Sequence, residues 1–271
     1  MSKHGNNKAG ICILTHQNNS QNSVPRVIVI FPAKNEEGTV ENSIATAKQS
    51  YYKPDVILVD AFSTDETIQL AGRAGAIVIQ QPTKIFPAKG LAMKAGLREA
   101  FDRSADIIVF LDADIRNLTP EWVDKLVKAL IDDNCDMSRG FYTRHARDAA
   151  VTKLVARPML HTFFPELSHF EQPLSGEVCA RRQVWENLLK RDNGSGSIPD
   201  GWGIDVWFLI EAAISGYHIK EIFMGTKEHT SFEDYREDVS KLSKMAEQVE
   251  FTIIREAIKY DRLELQKRVS V

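Results

Sequence analysis

Short unbroken runs of apolar residues alternate with longer amphipathic stretches in the first half of the chain. The runs are too short to span a membrane and lack helical periodicity, so they predict strands that are buried on both faces. Between the runs, apolar residues return at helical spacing, as Val40, Ile44 and Ala47 do. This alternation predicts an α/β fold with right-handed crossovers, a mainly parallel sheet and helices on both of its faces. The four predicted strands span residues 26–31, 55–60, 76–80 and 107–111.

The segments between and after these strands carry helix signals. Ser63 to Glu66 reads S-T-D-E, a capping box that predicts the start of the second helix. Thr119 with Pro120 predicts the cap and first turn of a helix through residue 130. Pro32 is expected to end the first strand and Pro158 to kink a helix over 151–164. The further predictions are helices over 91–103, 204–215 and 234–265, strands over 135–142 and 218–223, a short strand within 172–182, and a loop over 192–200.

Composition excludes several classes of protein. A hydrophobic content of 43% excludes a disordered chain, and a formal net charge of -3 gives no general attraction for nucleic acid or anionic lipid. No apolar run approaches the length of a membrane span and no signal peptide is recognised, so we expect a soluble cytoplasmic protein that binds no membrane. The three cysteines, Cys12, Cys135 and Cys179, are widely spaced and are expected to be reduced thiols.

Two carboxylates follow the most apolar strand. Asp112 and Asp114 flank Ala113, and residues two apart in an extended chain point to the same side, so both can reach one ligand. In an open α/β sheet, ligands bind beyond the carboxyl ends of the strands. Turn capping by aspartate is the alternative explanation of a lone D-x-D. The chain has neither a G-x-G-x-x-G turn nor a P-loop. A bound diphosphate would therefore be neutralised by a divalent cation on Asp112 and Asp114, with help from Lys89.

Four strand-end motifs occur in order: V-I-V-I-F-P-A-K-N-E-E, L-V-D-A-F-S-T-D-E-T, a Lys-Gly before a helix, and F-L-D-A-D. This series resembles the nucleotide-sugar-binding half of GT-A glycosyltransferases. Later motifs, including V-T-K-L-V-A-R-P-M-L, Q-P-L-S-G-E, G-W-G-I-D and E-H, resemble glucosyl-3-phosphoglycerate synthases. The resemblance implies a retaining, Mg²⁺- or Mn²⁺-dependent enzyme that moves glucose from UDP-glucose, or GDP-glucose, to 3-phosphoglycerate. It also implies a Rossmann-like GT-A half at 24–145 and a helix-rich acceptor-binding half at 146–271. Residues 1–23 are rich in Asn, Gln and Ser, and this composition predicts a flexible tail.

The same resemblance implies roles for individual residues. Asp114 and His229 would ligate the metal, Asp112 would contact ribose or sugar, and Asp205 would lie near the donor sugar and the acceptor. The implied catalytic residues are Asp114, Asp205 and Glu177. For Asp205 a helix N-terminal position, and for His229 a packed or surface position, are the plain alternatives. The residues implied to bind the nucleotide sugar are Pro32, Ala33, Asn35, Glu36, Asp60, Ser63, Lys89, Asp112 and Ala113.

The acceptor end of the resemblance is less complete. Glu177 and Gly176 in the S-G-E turn and Thr152 are implied to contact the acceptor, although Glu177 has a turn and Thr152 a helix cap as alternative roles. The family has Gly-Arg before V-T to hold the acceptor phosphate, whereas this chain has Ala149 and Ala150. The basic residues expected to compensate are Arg147, Arg144 and Lys153.

Three functions remain open from the sequence. The first is a glycosyltransferase with a small phosphorylated acid as acceptor, and the second is a related GT-A transferase with a mannosyl donor or a polyprenyl phosphate acceptor. In the second case, an inverting mechanism would use Asp205 or Glu211 as a general base. The third is a sugar-nucleotide-binding protein without catalysis. The resemblance and the long C-terminal helical region favour a homodimer, and no nucleic-acid partner is expected.

Overall fold

The computed structural model describes residues 24–143, 148–192, 197–229 and 239–263. The tail predicted for residues 1–23, Cys12, Arg144 and Arg147 therefore lie outside the described residues. The strands are β1 Val27–Ala33, β2 Asp55–Asp60, β3 Ile77–Gln80, β4 Ile107–Phe110, β5 Met137–Thr143, β6 Val178–Arg181 and β7 Ile219–Thr226. The α-helices are α1 Val40–Ala47, α2 Thr67–Arg73, α3 Lys89–Asp102, α4 Pro120–Asp132, α5 Arg157–Phe163, α6 Arg182–Leu189, α7 Ile204–Ile214 and α8 Val239–Lys259.

The described strands form one seven-stranded sheet in the order β3-β2-β1-β4-β6-β5-β7. Neighbouring strands are parallel except that β6 runs antiparallel to both β4 and β5. The predicted α/β class and mainly parallel sheet are confirmed. Strands on both sides of residue 145 share this sheet, so the two predicted halves are not separate sheets, and their division by ligand stays a prediction. Because β2 and β4 lie on opposite sides of β1, a crevice opens at the carboxyl ends of β1 and β4.

Helices cover both faces of the sheet, as the apolar runs of its strands require. One core lies under α1, α2 and α4, where Val123, Leu126 and Val127 pack on the sheet. The other lies under α3, α6 and α7, around Trp185 and Trp207. A third apolar cluster joins α5, α7 and α8. The long C-terminal helix is therefore packed on α7, the helix that begins next to the crevice.

Several local predictions need correction. The second helix begins at Thr67 and not at a Ser63 cap, because the Asp65 carboxylate accepts hydrogen bonds from the Thr67 amide and hydroxyl. Strand β1 continues through Pro32. The Ile30 carbonyl accepts a hydrogen bond from the Leu111 amide, so Ile30 faces β4, and Pro32, two residues later, faces the same side. Strand β4 has ended at that level, so the missing N–H of Pro32 breaks no hydrogen bond of the sheet. The irregularity predicted at Pro158 lies one turn earlier, in a π-helical segment at Thr152–Ala156. Helix α6 was not predicted from the sequence.

Candidate active site

A cavity of about 900 Å³ lies at the carboxyl ends of β1 and β4. Its walls come from the loop after β1, the turn after β4, the segment around Thr152, the loop before α7, the segment after β7 and the first turns of α8. These segments are far apart in the chain, so only the fold brings them together. The predicted site residues that line the cavity are Pro32, Ala33, Asn35, Glu36, Lys89, Asp112, Ala113, Asp114, Thr152, Asp205 and His229.

Hydrogen bonds fix the two acidic residues after β4. The Thr39 hydroxyl donates to the Ala113 carbonyl over 2.8 Å and so ties the turn to the start of α1. Gly176 packs against the Asp112 carboxylate so closely that a Cβ at this position would collide with it. A glycine in the S-G-E turn is therefore needed to let this turn approach Asp112.

Five alternating charges form one network that begins at the cavity surface and continues behind it. The Lys89 ammonium donates to Asp205 Oδ2 at 2.9 Å and to Asp112 Oδ1 at 3.1 Å. The Lys227 ammonium donates to Asp112 Oδ2 at 2.8 Å and to Glu177 Oε1 at 2.7 Å. Each lysine thus lies between two carboxylates, which offsets part of the cost of burying the charges.

The network shifts the pKa of its members in different directions. Burial opposes the charged form of Asp112, but Lys227 and Lys89 hold its pKa well below the ordinary value. Asp205 is 2% exposed, and burial raises its pKa to about 6 although Lys89 opposes the rise. One Asp205 oxygen, Oδ1, is buried without a hydrogen-bond partner. Asp205 is thus a carboxylate held charged at neutral pH at a cost in free energy.

Asp114 and His229 come together through paired backbone segments. Ile115 forms an antiparallel bridge with His229, and the Arg116 amide donates to the Glu228 carbonyl over 2.8 Å. His229 Nδ1 then lies 3.5 Å from Asp114 Oδ2, and Nε2 lies 2.8 Å from Asp148 Oδ2. Burial disfavours the charged ring, but hydrogen bonds to Asp114 and Asp148 raise the pKa of His229 to about 9.

The donor set of Asp114 and His229 fits a divalent cation. Neighbouring ligands of an octahedral ion with bonds of 2.0–2.1 Å lie about 3 Å apart, close to the 3.5 Å between Asp114 Oδ2 and His229 Nδ1. A neutral His229 that donates from Nε2 to Asp148 would present the Nδ1 lone pair towards Asp114, so Asp148 can orient the ring. Among the described residues, no group of three His, Cys, Asp or Glu side chains could hold a metal. An ion here would therefore need further ligands from a substrate or from water.

Four predicted site residues do not line the cavity. Asp60 is fully buried and accepts hydrogen bonds from the Ser63 amide and from Gln80 Nε2. The Ser63 hydroxyl accepts a hydrogen bond from the Asn35 amide over 2.9 Å, and so supports the loop after β1. Glu177 is fully buried and accepts hydrogen bonds from Lys227 and the Tyr142 hydroxyl, while Gly176 supports Asp112. These four residues shape the cavity from behind its surface, and direct contacts to a ligand stay predictions. For Arg147, outside the described residues, acceptor binding likewise stays a prediction.

The structure adds residues that sequence reasoning missed. Asp148, Trp202 and Lys241 line the cavity, and Lys227 links Asp112 to Glu177. Trp202, in the quoted G-W-G-I-D motif, could have been found because an aromatic residue between two glycines is unusual in a loop. Lys241 had no signal, because it is one lysine among many on a charged helix. Burial and pairing could not be predicted for Asp148 and Lys227.

A fully buried guanidinium, that of Arg139, holds together the backbone segments that carry the charged network. Arg139 on β5 donates from Nη2 to the carbonyls of Pro173 and Ser175 at 3.1 Å and to that of Asp205 at 3.3 Å. It therefore ties the S-G-E turn to the first turn of α7. Burial lowers the pKa of Arg139, and no local sequence pattern around it indicated this role.

Comparison with known proteins identifies similar chains. The family model described as mannosylglycerate synthase, GT domain, matches residues 27–245. The glucosyl-3-phosphoglycerate synthase of Petrotoga mobilis is 29% identical, with 90% of this chain and 77% of the relative covered. That of Mycolicibacterium smegmatis is 30% identical, with coverages of 84% and 76%.

Solved structures show the same architecture. The Mycobacterium tuberculosis glucosyl-3-phosphoglycerate synthase with Mg²⁺ and uridine diphosphate has a TM-score of 0.71 and 30% identity, over 86% of this chain and 79% of that chain. The same enzyme with Mn²⁺, UDP-glucose and phosphoglyceric acid has a TM-score of 0.71 and 29% identity, with coverages of 86% and 80%. The expected GT-A fold is confirmed by these matches. Within the described parts of the chain, no helix is both long and apolar enough to cross a bilayer.

Proposed function

The chain belongs to the glycosyltransferase family of mannosylglycerate and glucosyl-3-phosphoglycerate synthases, and from this membership we propose that it transfers glucose from UDP-glucose to 3-phosphoglycerate. The product is glucosyl-3-phosphoglycerate with retained configuration at the anomeric carbon. One observation carries the proposal: Asp114 and His229 lie in the same cavity as the Lys89-linked pair of Asp112 and Asp205. The M. tuberculosis relative supports the choice of substrates, because its structure holds UDP-glucose and phosphoglyceric acid together.

Asp114 and His229 would hold the Mg²⁺ or Mn²⁺ ion that the proposed reaction requires. When bound, such an ion supplies positive charge that stabilises the departing diphosphate. Asp148 keeps the His229 ring oriented through its 2.8 Å contact with Nε2. The loop Pro32 to Glu36, beside the metal ligands in the cavity wall, binds the nucleotide.

Lys89 orients the two carboxylates that we assign to the sugar. Because its ammonium contacts both Asp112 and Asp205, it holds the two carboxylates as a fixed pair in the wall of the cavity. Ionised carboxylates accept strong hydrogen bonds from sugar hydroxyls. Keeping Asp205 charged despite its raised pKa serves this binding, and Lys227 with Glu177 fixes the other side of Asp112.

We assign the retaining chemistry to a front-face route. In that route the leaving diphosphate accepts the proton of the incoming hydroxyl, so no protein base is needed. Glu177, one of the predicted catalytic residues, lies behind the cavity surface and fixes Lys227, whereas Asp205 lines the cavity with its Oδ2 bound to Lys89. Asp205 therefore positions the donor sugar in this proposal.

A mannosyl donor is the second candidate, because the matching family model is that of mannosylglycerate synthase. The test is a product panel. The purified protein is incubated with Mg²⁺, each of UDP-glucose, GDP-glucose and GDP-mannose, and each of 3-phosphoglycerate and glycerate, and the products are identified by mass. We expect the largest yield from UDP-glucose with 3-phosphoglycerate. A larger yield from GDP-mannose would favour the second candidate, and hydrolysis without transfer for every pair would reject both.

We further propose a cytoplasmic homodimer. Exposed apolar side chains on α8, Phe251 at 63% and Ile258 at 40%, support a protein interface on this helix. The thiols of Cys135 and Cys179, both buried and free, support a reducing compartment. Light scattering coupled to gel filtration tests the dimer, and a monomer mass at micromolar concentration would reject it.

A further inference from the structure

The two carboxylates assigned to the donor sugar are joined by a single lysine on the cavity side. The Lys89 ammonium lies 2.9 Å from Asp205 Oδ2 and 3.1 Å from Asp112 Oδ1. Asp205 comes from the first turn of α7, whereas Asp112 follows β4, so the pair depends on two elements that are far apart in the chain. A lysine is a point charge on a flexible stem. The backbone positions of the two elements must therefore be fixed by other contacts.

Arg139 makes such backbone contacts from behind the pair. It lies on β5, is fully buried and does not line the cavity. Its Nη2 donates to the Ser175 carbonyl at 3.1 Å and to the Asp205 carbonyl at 3.3 Å. Ser175 precedes Gly176, which packs directly against the Asp112 carboxylate. One guanidinium thus fixes both the start of α7, which carries Asp205, and the turn against which Asp112 rests.

The charge of Arg139 also acts on Asp205. Burial and the nearby Asp112 raise the pKa of Asp205, to about 6, and Lys89 and then Arg139 oppose this rise. Burial lowers the pKa of Arg139, and Asp205 is the charged group that opposes this change most, ahead of Glu221 on β7. Arg139 therefore offsets part of the cost of keeping Asp205 ionised.

The guanidinium itself is poorly satisfied where it lies. Its Nε and Nη1 are buried and have no hydrogen-bond partner among the described residues. Its Nη2 has two hydrogens for three carbonyls, the third being that of Pro173. Buried donors without partners lower the free energy of unfolding, and replacing buried charges by apolar side chains is often neutral or stabilising. Stability alone therefore does not explain a cation at this place, whereas its position behind the two carboxylates does.

We infer that Arg139 is a positioning residue for the donor sugar, which holds Asp205 and Asp112 at the spacing, and Asp205 in the charged form, that binding of the sugar hydroxyls requires. This inference rests on the proposed function, because it takes these two carboxylates to bind the sugar. Arg139 acts only through the segments that it joins. Its hydrogen bonds include none with the loop at 32–36, to which the nucleotide is assigned. Loss of Arg139 should therefore impair use of the sugar and spare binding of the nucleotide.

The experiment compares four proteins: wild type, Arg139→Gln, Arg139→Lys and Arg181→Gln. Glutamine keeps one NH₂ donor but removes the charge, whereas lysine keeps the charge. Arg181 is the control, because it also donates from Nη2 to a backbone carbonyl, that of Leu130, but lies on the neighbouring strand β6 and does not line the cavity. Folding is checked by thermal unfolding. The values of kcat and KM for UDP-glucose are measured at saturating 3-phosphoglycerate and Mg²⁺, and UDP binding is titrated in the presence of Mg²⁺.

We expect Arg139→Gln to lower kcat/KM for UDP-glucose about 10- to 100-fold, the effect of losing one charge-assisted interaction. The dissociation constant of UDP, which lacks the sugar, should change less than about threefold. Arg139→Lys should recover most of the lost activity, and Arg181→Gln should match wild type in both measurements.

Three results would overturn the inference and leave the proposed function standing. They are unchanged transfer by Arg139→Gln, equal losses of UDP binding and transfer in that variant, and an Arg139→Lys variant as impaired as Arg139→Gln. An Arg139→Gln protein that does not fold would assign the residue to stability and would also overturn the inference. Wild-type protein that binds UDP but forms no glucosyl-3-phosphoglycerate would instead overturn the proposed function, and this inference with it.

Discussion

Replacing Asp205 by asparagine should stabilise the protein and abolish its activity. Asp205 is almost completely buried, one of its oxygens has no hydrogen-bond partner, and Lys89 keeps a second partner in Asp112 when the Asp205 charge is removed. The change therefore removes a costly charge without leaving Lys89 unpaired. In the proposed function the same charge orients the donor sugar, so transfer should fall at least about 100-fold, equivalent to about 3 kcal/mol of lost transition-state binding.

The magnitude follows from the pKa of Asp205. A value of about 6 instead of 3.8 corresponds to a penalty of about 3 kcal/mol on the charged form in the folded state. The folded state binds the Asp205 proton more tightly than the unfolded state does. The bound proton therefore adds to the free energy of unfolding of the wild type below pH 4, and this contribution is lost as the pH rises through 6. Asparagine does not titrate. The stability of the variant relative to wild type should therefore increase by about 2 kcal/mol between pH 4.5 and pH 7.5.

The assay is urea unfolding of the metal-free proteins, followed by circular dichroism at these two pH values. Asp200→Asn is the control for the removal of a carboxylate at an exposed position, because Asp200 is 54% exposed in its pair with Lys94 and its loss should change the free energy of unfolding by less than about 1 kcal/mol. An Asp205→Asn variant that is less stable than wild type at pH 7.5, or whose relative stability does not change with pH, would refute the reasoning.

Three further predictions concern other parts of the structure. Asp114→Asn should lower transfer at least about 100-fold and should weaken Mn²⁺ binding, measured by electron paramagnetic resonance in the presence of UDP. Its melting temperature should stay within about 3 °C of wild type. Full activity of this variant would show that the cation is held elsewhere. Glu211→Ala should cost about 2–4 kcal/mol in urea unfolding, because fully buried Glu211 contacts Arg191 and Lys259 and joins α7 to α8; a loss below about 0.5 kcal/mol would contradict this. Gly90→Ala should cost about 1–3 kcal/mol of unfolding free energy and reduce transfer, because the added Cβ would collide with the Pro199 carbonyl in the loop before α7. The control Gly72→Ala has open space around the added Cβ and should be neutral or slightly stabilising. Equal stability of the two variants would count against the tight contact at Gly90.

The strand and helix pattern could be predicted well where burial is complete on both faces. The runs that became β2 and β4 are apolar because helices cover them on each side, so their sequence carries the signal directly. Helix α6 was missed because it begins immediately after β6, at Arg182, and no turn residue separates the two elements. The capping box at Ser63 was wrong because Ser63 is bound to Asn35, a contact between loops 28 residues apart.

The candidate site could be predicted only where its residues follow strands. Asp112 and Asp114 follow β4, so the rule that ligands bind beyond strand ends places them at the crevice. Asp148, Lys227 and Lys241 reach the same cavity through segments whose arrangement depends on the packing of β7 and α8. Their position at the cavity depends on long-range contacts, which no local pattern in the sequence predicts.

The most direct test of the account is the proton NMR spectrum of the product formed from UDP-glucose and 3-phosphoglycerate with Mg²⁺. We expect wild type to form a glucosyl-3-phosphoglycerate with an α-anomeric signal, and we expect this signal to be lost on chelation of the metal and restored by Mg²⁺ or Mn²⁺. A β-anomeric product, release of free glucose alone, or undiminished transfer after complete removal of divalent cations would contradict it.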